Sequence, residues 1–251
     1  MSDLHQTPFS LLNRKVLVTG ASSGIGRATA IVCSRLGAQV FITGRDEQRL
    51  SATFNELSGD GHEMCKADLT TNDGMQMLVD RLPILNGIVL CAGKGLTLPL
   101  SFATREKFDS IFGIDFYSQQ EILRRVVKRK ILTKGSSVVF VSSVGGNLVF
   151  NPGGGVYGAA KAALNASMKF WAKELAPKSV RVNSVCPGMV ETPLINRGTL
   201  TQEQFEADMA KYPLKRYGRP DDIANGIVYL LSDAAAWVTG HSLVIDGGVS
   251  I

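Results

Sequence analysis

The sequence predicts an α/β fold, a single domain over residues 1–251 in which a doubly wound parallel sheet of about seven strands carries helices on both faces. Three observations predict it. Short apolar runs alternate with longer helical patterns from end to end, each run stops at glycine or serine, and 251 residues with 45% hydrophobic content suffice for one large core. Parallel strands need crossover connections, and right-handed crossovers place the helices on both faces.

Taken in order, "KVLVTG" (15–20) reads as a first buried strand and runs into a glycine-rich turn. Helical periodicity follows over 24–36, then the strand "AQVFITG" (38–44) and a helix over 47–57, for which Asp46 is placed as N-cap. "GHEMCKADL" (61–69) is a weaker strand and "GIVLCAG" (87–93) a strong one. A long helical pattern spans 104–131, ahead of the strand "SSVVFVSS" (136–143), a helix over 157–176 and the strand "VRVNSVCPG" (180–188). The stretch 188–219 is the least regular, with a short helical pattern around 201–211. Following a strand end, it is expected to cover the ligand crevice as a lid. A helix over 220–232 and the strand "SLVIDGG" (242–248) complete the series.

Composition narrows the function classes. The 27 basic and 22 acidic residues leave +5 with no long segment dominated by cations, so no nucleic-acid partner is expected. Cys33, Cys65, Cys91 and Cys186 lack paired spacing and three lie in apolar runs, which suits reduced thiols. His5, His62 and His241 are equally isolated, so no metal is expected. The N-terminus lacks a basic start followed by a long apolar stretch, and no run approaches the roughly 18 apolar residues of a membrane span. A soluble cytoplasmic protein without a membrane partner is the expectation.

After the first strand, "TGASSGIGRATA" brings Gly20, Gly24 and Gly26 directly to a helix start. Glycines let backbone N–H groups approach a pyrophosphate, and the helix N-terminus adds fractional positive charge, so a dinucleotide fits. At the end of the second strand, where a carboxylate would hold the ribose of NAD(H), stand Gly44 and Arg45. A guanidinium without a competing acid suits a 2′-phosphate, so NADP(H) is preferred and NAD(H) is the lesser alternative. Asp46 could accept a ribose hydroxyl and is its rival.

Tyr157 and Lys161 stand four apart at the start of a helix and share a face. An ammonium beside a phenol favours phenolate, which makes acid/base chemistry plausible, although this spacing alone recurs on many helices. Ser142 and Ser143 end the preceding strand, and a hydroxyl there could hold a carbonyl oxygen opposite the tyrosine.

Gly20, Gly24 and Gly26, "CAG" at 91–93, Ser143, Tyr157-Gly-Ala-Ala-Lys161 and "NSVCPGMVETPL" at 183–194 together resemble the classical short-chain dehydrogenase/reductase family, of Rossmann-like fold, over nearly the whole chain. The resemblance implies that Tyr157 exchanges a proton with the substrate oxygen while hydride passes between substrate carbon and nicotinamide. It implies that Lys161 lowers the tyrosine pKa and binds the nicotinamide ribose, and that Ser143 steadies the substrate oxygen. Ser142, on the alternate face, is expected to be structural. It places Gly20, Ser22, Ser23, Gly24, Ile25, Gly26, Cys91, Ala92 and Gly93 along the cofactor. Asp68 and Leu69 fall at the adenine, and Pro187, Gly188, Val190 and Thr192 at the nicotinamide end. The closing "GHSLVIDGG" is similar to a strand through which the family forms homo-oligomers, tetramers or dimers.

Two departures stand out. Leu90-Cys91-Ala92-Gly93 replaces Asn-Asn-Ala-Gly and loses two amides that brace the sheet, and Asp115 replaces a catalytic asparagine. A carboxylate there would partly offset the effect of Lys161 on Tyr157, so a working site with a raised tyrosine pKa is expected. Leu96, Leu148, Val149, Phe150, Met189, Leu194 and Ile195 are candidates to line a site for an apolar or bulky carbonyl compound. The basic run Arg124, Arg125, Lys128, Arg129 and Lys130 is either a solvated face or a dock for an acidic acyl carrier protein, the latter implying a 3-oxoacyl-[acyl-carrier-protein] reductase. A dinucleotide-binding protein that has lost turnover is the third reading.

Overall fold

In the computed structural model, which describes residues 7–193 and 201–251, β1 (Lys15–Thr19) passes through the glycine turn into α1 (Gly24–Arg35). The chain continues through β2 (Gln39–Gly44), α2 (Glu47–Phe54), β3 (Glu63–Lys66), α3 (Asn72–Arg81) and β4 (Leu85–Leu90). After a loop come α4 (Arg105–Phe112), a π turn (Gly113–Tyr117), α5 (Ser118–Lys128), β5 (Leu132–Val141), α6 (Gly155–Leu175) and β6 (Arg181–Pro187). Then α7 (Gln202–Met209), α8 (Pro220–Leu231) and β7 (Ser242–Ile245) close the domain.

The seven strands form one sheet in the order β3-β2-β1-β4-β5-β6-β7, every pair parallel. Side chains alternate across it. Leu17, Ile88, Leu90, Val138 and Phe140 point to the face covered by α3, α5 and α6, whereas Val16, Val18, Val89, Val139 and Val141 point to the face covered by α1, α2 and α8. Burial on both faces explains why these strands are continuously apolar. The order reverses between β1 and β4, which leaves a crevice at their carboxyl ends.

The helical pattern over 104–131 is interrupted. Its middle widens into the π turn, which carries Asp115, and α5 stops at Lys128. One helix without a counterpart in the sequence reading is α3, capped by the Thr71 side chain accepting from Gly74 N and started by Asp73 in its first turn. His5 lies outside the described residues, as does part of the 188–219 stretch.

Candidate active site

The turn after β1 is shaped for a close-approaching anion. Gly20 and Gly24 have φ of +67° and +53°, in the left-handed region that favours glycine, and a Cβ on Gly26 would lie 2.4 Å from the Gly20 carbonyl oxygen. Ser23, Ile25 and Gly26 begin α1 with no side-chain cap bond and no acid in the first turn. Uncapped amides at a positive helix end suit a phosphate, so these residues fit the pyrophosphate of a dinucleotide. Ser22 lies against the end of β2, where a Cβ on Gly44 would meet its Oγ at 3.1 Å.

Arg45 follows β2 and is exposed. Hydrogen bonds from the Thr70 backbone and hydroxyl hold the Asp68 carboxyl below the ordinary carboxylate range, and the nearby Arg45 charge adds to this. Asp46 caps α2, accepting from Arg49 N at 3.0 Å and pairing with Arg49 Nε at 3.3 Å, as its placement before the helix predicts. Leu69 sends its side chain into the core, leaving its backbone for any ligand contact.

The end of β4 is braced without the two missing amides. Thr19 Oγ1 accepts from Cys91 N at 2.9 Å and Ala92 N at 3.1 Å and donates to Val89 O at 3.4 Å. Gln119, buried on α5, donates to Ala92 O at 3.0 Å. Neither residue was singled out from the sequence. Thr19 carried a signal, a hydroxyl in an apolar strand that a buried site must satisfy. Burial pushes the Cys91 thiol up to about 12, so it stays a neutral thiol near pH 7.

Asp115, Lys161, Tyr157 and Ser143 come together from three elements. Lys161 Nζ pairs with Asp115 Oδ1 at 3.0 Å, donates to Val141 O at 3.0 Å and stands 5.6 Å from the centroid of the Tyr157 ring. Asp115 Oδ2 accepts from Lys94 N at 3.0 Å. A Cβ on Gly93 would lie 2.5 Å from Asp115 Oδ1, so glycine is what admits the carboxylate. Ser143 Oγ accepts from Gly145 N at 3.0 Å and lies within hydrogen-bonding reach of Tyr157. Ser142 donates to Lys161 O at 3.1 Å, a structural contact.

Burial raises the Tyr157 pKa, the Lys161 ammonium opposes the rise and the Asp115 carboxylate adds to it, leaving the phenol above its ordinary value. Burial works against the Lys161 ammonium, but Asp115 and Tyr157 outweigh it, and this pKa is also raised. The Tyr157 rise comes first from burial, with Asp115 reducing what Lys161 can offset, whereas the Lys161 rise comes from its charge partners.

The tail of β6 completes the crevice. Pro187 O accepts from Val144 N at 3.0 Å, Gly188 N donates to Ile245 O at 3.1 Å, and Val190 is buried with a backbone bridge to Gly218. Thr192 reaches the phosphate turn, where its Cγ2 would be 3.0 Å from a Cβ on Gly24. Tyr212 OH accepts from Met189 N at 3.0 Å and fastens the chain after α7 to the same tail. Of the proposed lining residues, Leu148 and Phe150 are exposed, Leu96 packs against Ile111, Val156 and Ala160, and Leu194 and Ile195 lie outside the described residues.

The basic run lies elsewhere. Arg124 and Arg125 both pair with Glu121, and Arg129 with Asp80. Because α5 runs directly into the amino end of β5, the run sits at the opposite edge of the sheet from the crevice. At about 1.5 Å per residue, even Arg124 is roughly 13 Å along the helix from Asp115.

Comparison with known proteins shows what the chain resembles. A family model described as enoyl-(acyl carrier protein) reductase matches residues 20–250. The 3-oxoacyl-[acyl-carrier-protein] reductase of Thermotoga maritima is 33% identical over 244 residues, covering 94% of this chain and 97% of its own. The structure of a 3-ketoacyl-(acyl-carrier-protein) reductase from Brucella melitensis complexed with NADH is similar at a TM-score of 0.85 and 28% identity, over 96% of this chain and 100% of its own. So is a structure described as an NAD(P)-dependent gluconate 5-dehydrogenase from Beutenbergia cavernae with NADP at low occupancy, at 0.86 and 26%, over 97% of this chain and 99% of its own.

Proposed function

The chain belongs to the classical short-chain dehydrogenase/reductase family, a family of oxidoreductases, and from that premise we propose that it interconverts a carbonyl group and a secondary alcohol with NADP(H). The observation that carries this reading is the cluster of Tyr157, Lys161 and Ser143 at the sheet edge that also holds the glycine cradle. When bound, the cofactor supplies or takes the hydride. Tyr157 gives its hydroxyl proton to the substrate oxygen in reduction and takes one back in oxidation. Ser143 holds that oxygen beside the phenol, and Lys161 favours the phenolate while keeping a donor for the cofactor ribose. The backbones of Cys91, Ala92, Gly93, Pro187, Gly188 and Val190, with Thr192, form the walls of the cofactor groove.

NADP(H) is proposed over NAD(H) because Arg45 is exposed beyond β2 while Asp46 is engaged as a helix cap. Comparative titration with NADPH and NADH, followed by a carbonyl screen with the preferred cofactor, tests both statements. Complete loss of turnover in Tyr157→Phe with cofactor affinity kept is the expected result, and binding of NADH alone would overturn the Arg45 argument. The four free cysteines support a reducing, cytoplasmic setting, and β7, an edge strand with Val244 exposed, suits assembly into a homo-oligomer.

The relative from Thermotoga maritima favours a second reading, reduction of a 3-oxoacyl thioester on an acyl carrier protein. The paired charges and remote position of 124–130 argue against that run as the dock. Salt sensitivity toward a carrier-bound substrate but not a small free ketone would separate the two. A binding protein without turnover is opposed by the assembled cluster, and would show NADPH binding with no oxidation across the panel.

A further inference from the structure

Lys161 is the cation beside Tyr157, and its charge already has a close partner. Asp115 Oδ1 lies 3.0 Å from Nζ, and both side chains are almost wholly buried, at 1% and 5% exposure. The carboxylate is held from two further directions, by Lys94 N on Oδ2 and by the absence of a side chain at Gly93. Val141 O fixes the ammonium from the opposite strand end. The pair therefore presents Tyr157 with a positive and a negative charge whose fields partly cancel, in surroundings where water screens neither.

The other groups facing Tyr157 do not replace the lost positive field. From the end of β4, Cys91 is a neutral thiol pushed up to about 12 by burial, and the Lys94 ammonium donates to Ser110 Oγ at the exposed surface, where water screens its charge. From the end of β5, Ser143 is a neutral hydroxyl. From α6 itself comes Lys161.

We infer that Asp115 is a positioning residue which, acting through Lys161, sets the proton exchange of Tyr157 to alkaline pH. The inference rests on Tyr157 being the acid/base of the proposed reaction, and it adds the element that tunes it. Burial is the first cause of the raised Tyr157 pKa, and the Asp115 carboxylate adds to that rise against the Lys161 ammonium, in the direction the geometry requires. Asp115 touches neither substrate nor cofactor in this role, and its effect is on when the tyrosine ionises.

The test is the pH profile of turnover, measured on the cofactor-loaded enzyme with a carbonyl compound from the screen, in Asp115→Asn, Asp115→Ser and Asp115→Glu. Alongside it, near-ultraviolet phenolate absorbance is titrated without cofactor, with Tyr157→Phe subtracted to isolate the one phenol. Removing the charge in Asp115→Asn and Asp115→Ser is expected to move the profile and the Tyr157 titration together to lower pH by about one unit or more, while Asp115→Glu keeps the alkaline profile. Two neutral variants guard against one failing to fold. A purely structural role would lower activity at all pH values without moving either curve, and that result overturns the inference. A profile that moves while the Tyr157 titration stays in place overturns it as well. Absence of turnover in every form would sink the oxidoreductase reading, and the phenolate titration would still decide the role of Asp115.

Discussion

Asp115 and Lys161 form a sealed ion pair, Oδ1 to Nζ 3.0 Å, beside Tyr157. Removing two charges from water is costly, and here their attraction and the bonds to Lys94 N and Val141 O offset the cost. Deleting one partner leaves the other buried and uncompensated. Lys161→Met is therefore expected to lower the free energy of unfolding by about 3 kcal/mol, and addition of Asp115→Asn to recover more than half of that loss. Chemical denaturation of the four proteins completes the cycle. Simple additivity would mean the two charges are not coupled.

Arg45 and Asp46 are neighbours with separable duties. Arg45→Asp is expected to weaken NADPH binding about tenfold or more, by losing a charge-assisted contact and adding repulsion, while NADH affinity changes little. Asp46→Ala should cost about 1 kcal/mol of stability through the lost cap and leave both affinities in place. Calorimetric titration with each cofactor reads the first effect and thermal unfolding the second. A fall in NADH affinity in Asp46→Ala would return Asp46 to the ribose.

The central strands β1, β2, β4, β5 and β6 were legible because burial on both faces makes them largely apolar, whereas the edge strand β3, half exposed, gave a weaker signal. The α3 helix was not, since Met75, Leu78 and Val79 make only a short stripe among polar residues and Gly74 interrupts it. The π turn at Gly113–Tyr117 was hidden for a different reason: it is a local widening of a helix whose periodicity persists on either side. Within the site, Tyr157, Lys161 and Ser143 were readable as a spaced set. The roles of Thr19 and Gln119 were not, because they act on the backbone of Cys91 and Ala92, across 70 residues of sequence in the case of Thr19 and Val89. The opposition of Asp115 to Lys161 was readable from the resemblance, whereas their direct pairing at 3.0 Å and the bond from Lys94 N came from the fold.

Gly93 is tied to that carboxylate by space. A methyl group there would lie 2.5 Å from Asp115 Oδ1 and 3.5 Å from Lys161 Nζ, so Gly93→Ala must push the carboxylate off the ammonium. The expected loss is about 1–3 kcal/mol, the range for overpacking a dense site. In an Asp115→Ser background the same substitution should cost less than half as much, because the crowded oxygen is gone. Equal costs in the two backgrounds, measured by denaturation, would place the strain elsewhere.

Glu121 offers a pH test in the first turn of α5, on the exposed side of the helix. Arg124 Nε and Arg125 Nε approach it at 2.6 and 2.7 Å, and hydrogen bonding from Arg124, ahead of the Arg125 contact, brings its carboxyl down to about 2. A carboxyl whose folded pKa lies below its unfolded value contributes stability that is complete above the ordinary pKa of 4.5 and is lost as pH falls through about 2. Because Glu121 retains contact with solvent, screening reduces the contribution to about 1 kcal/mol. Glu121→Gln is therefore expected to be less stable than the native chain by about that amount at neutral pH, with the difference closing progressively below pH 4.5. Added salt should shrink it too, since the pair is partly exposed. A difference that stays constant down to pH 2 would assign the contribution of Glu121 to packing and leave the two arginines available to an acidic partner.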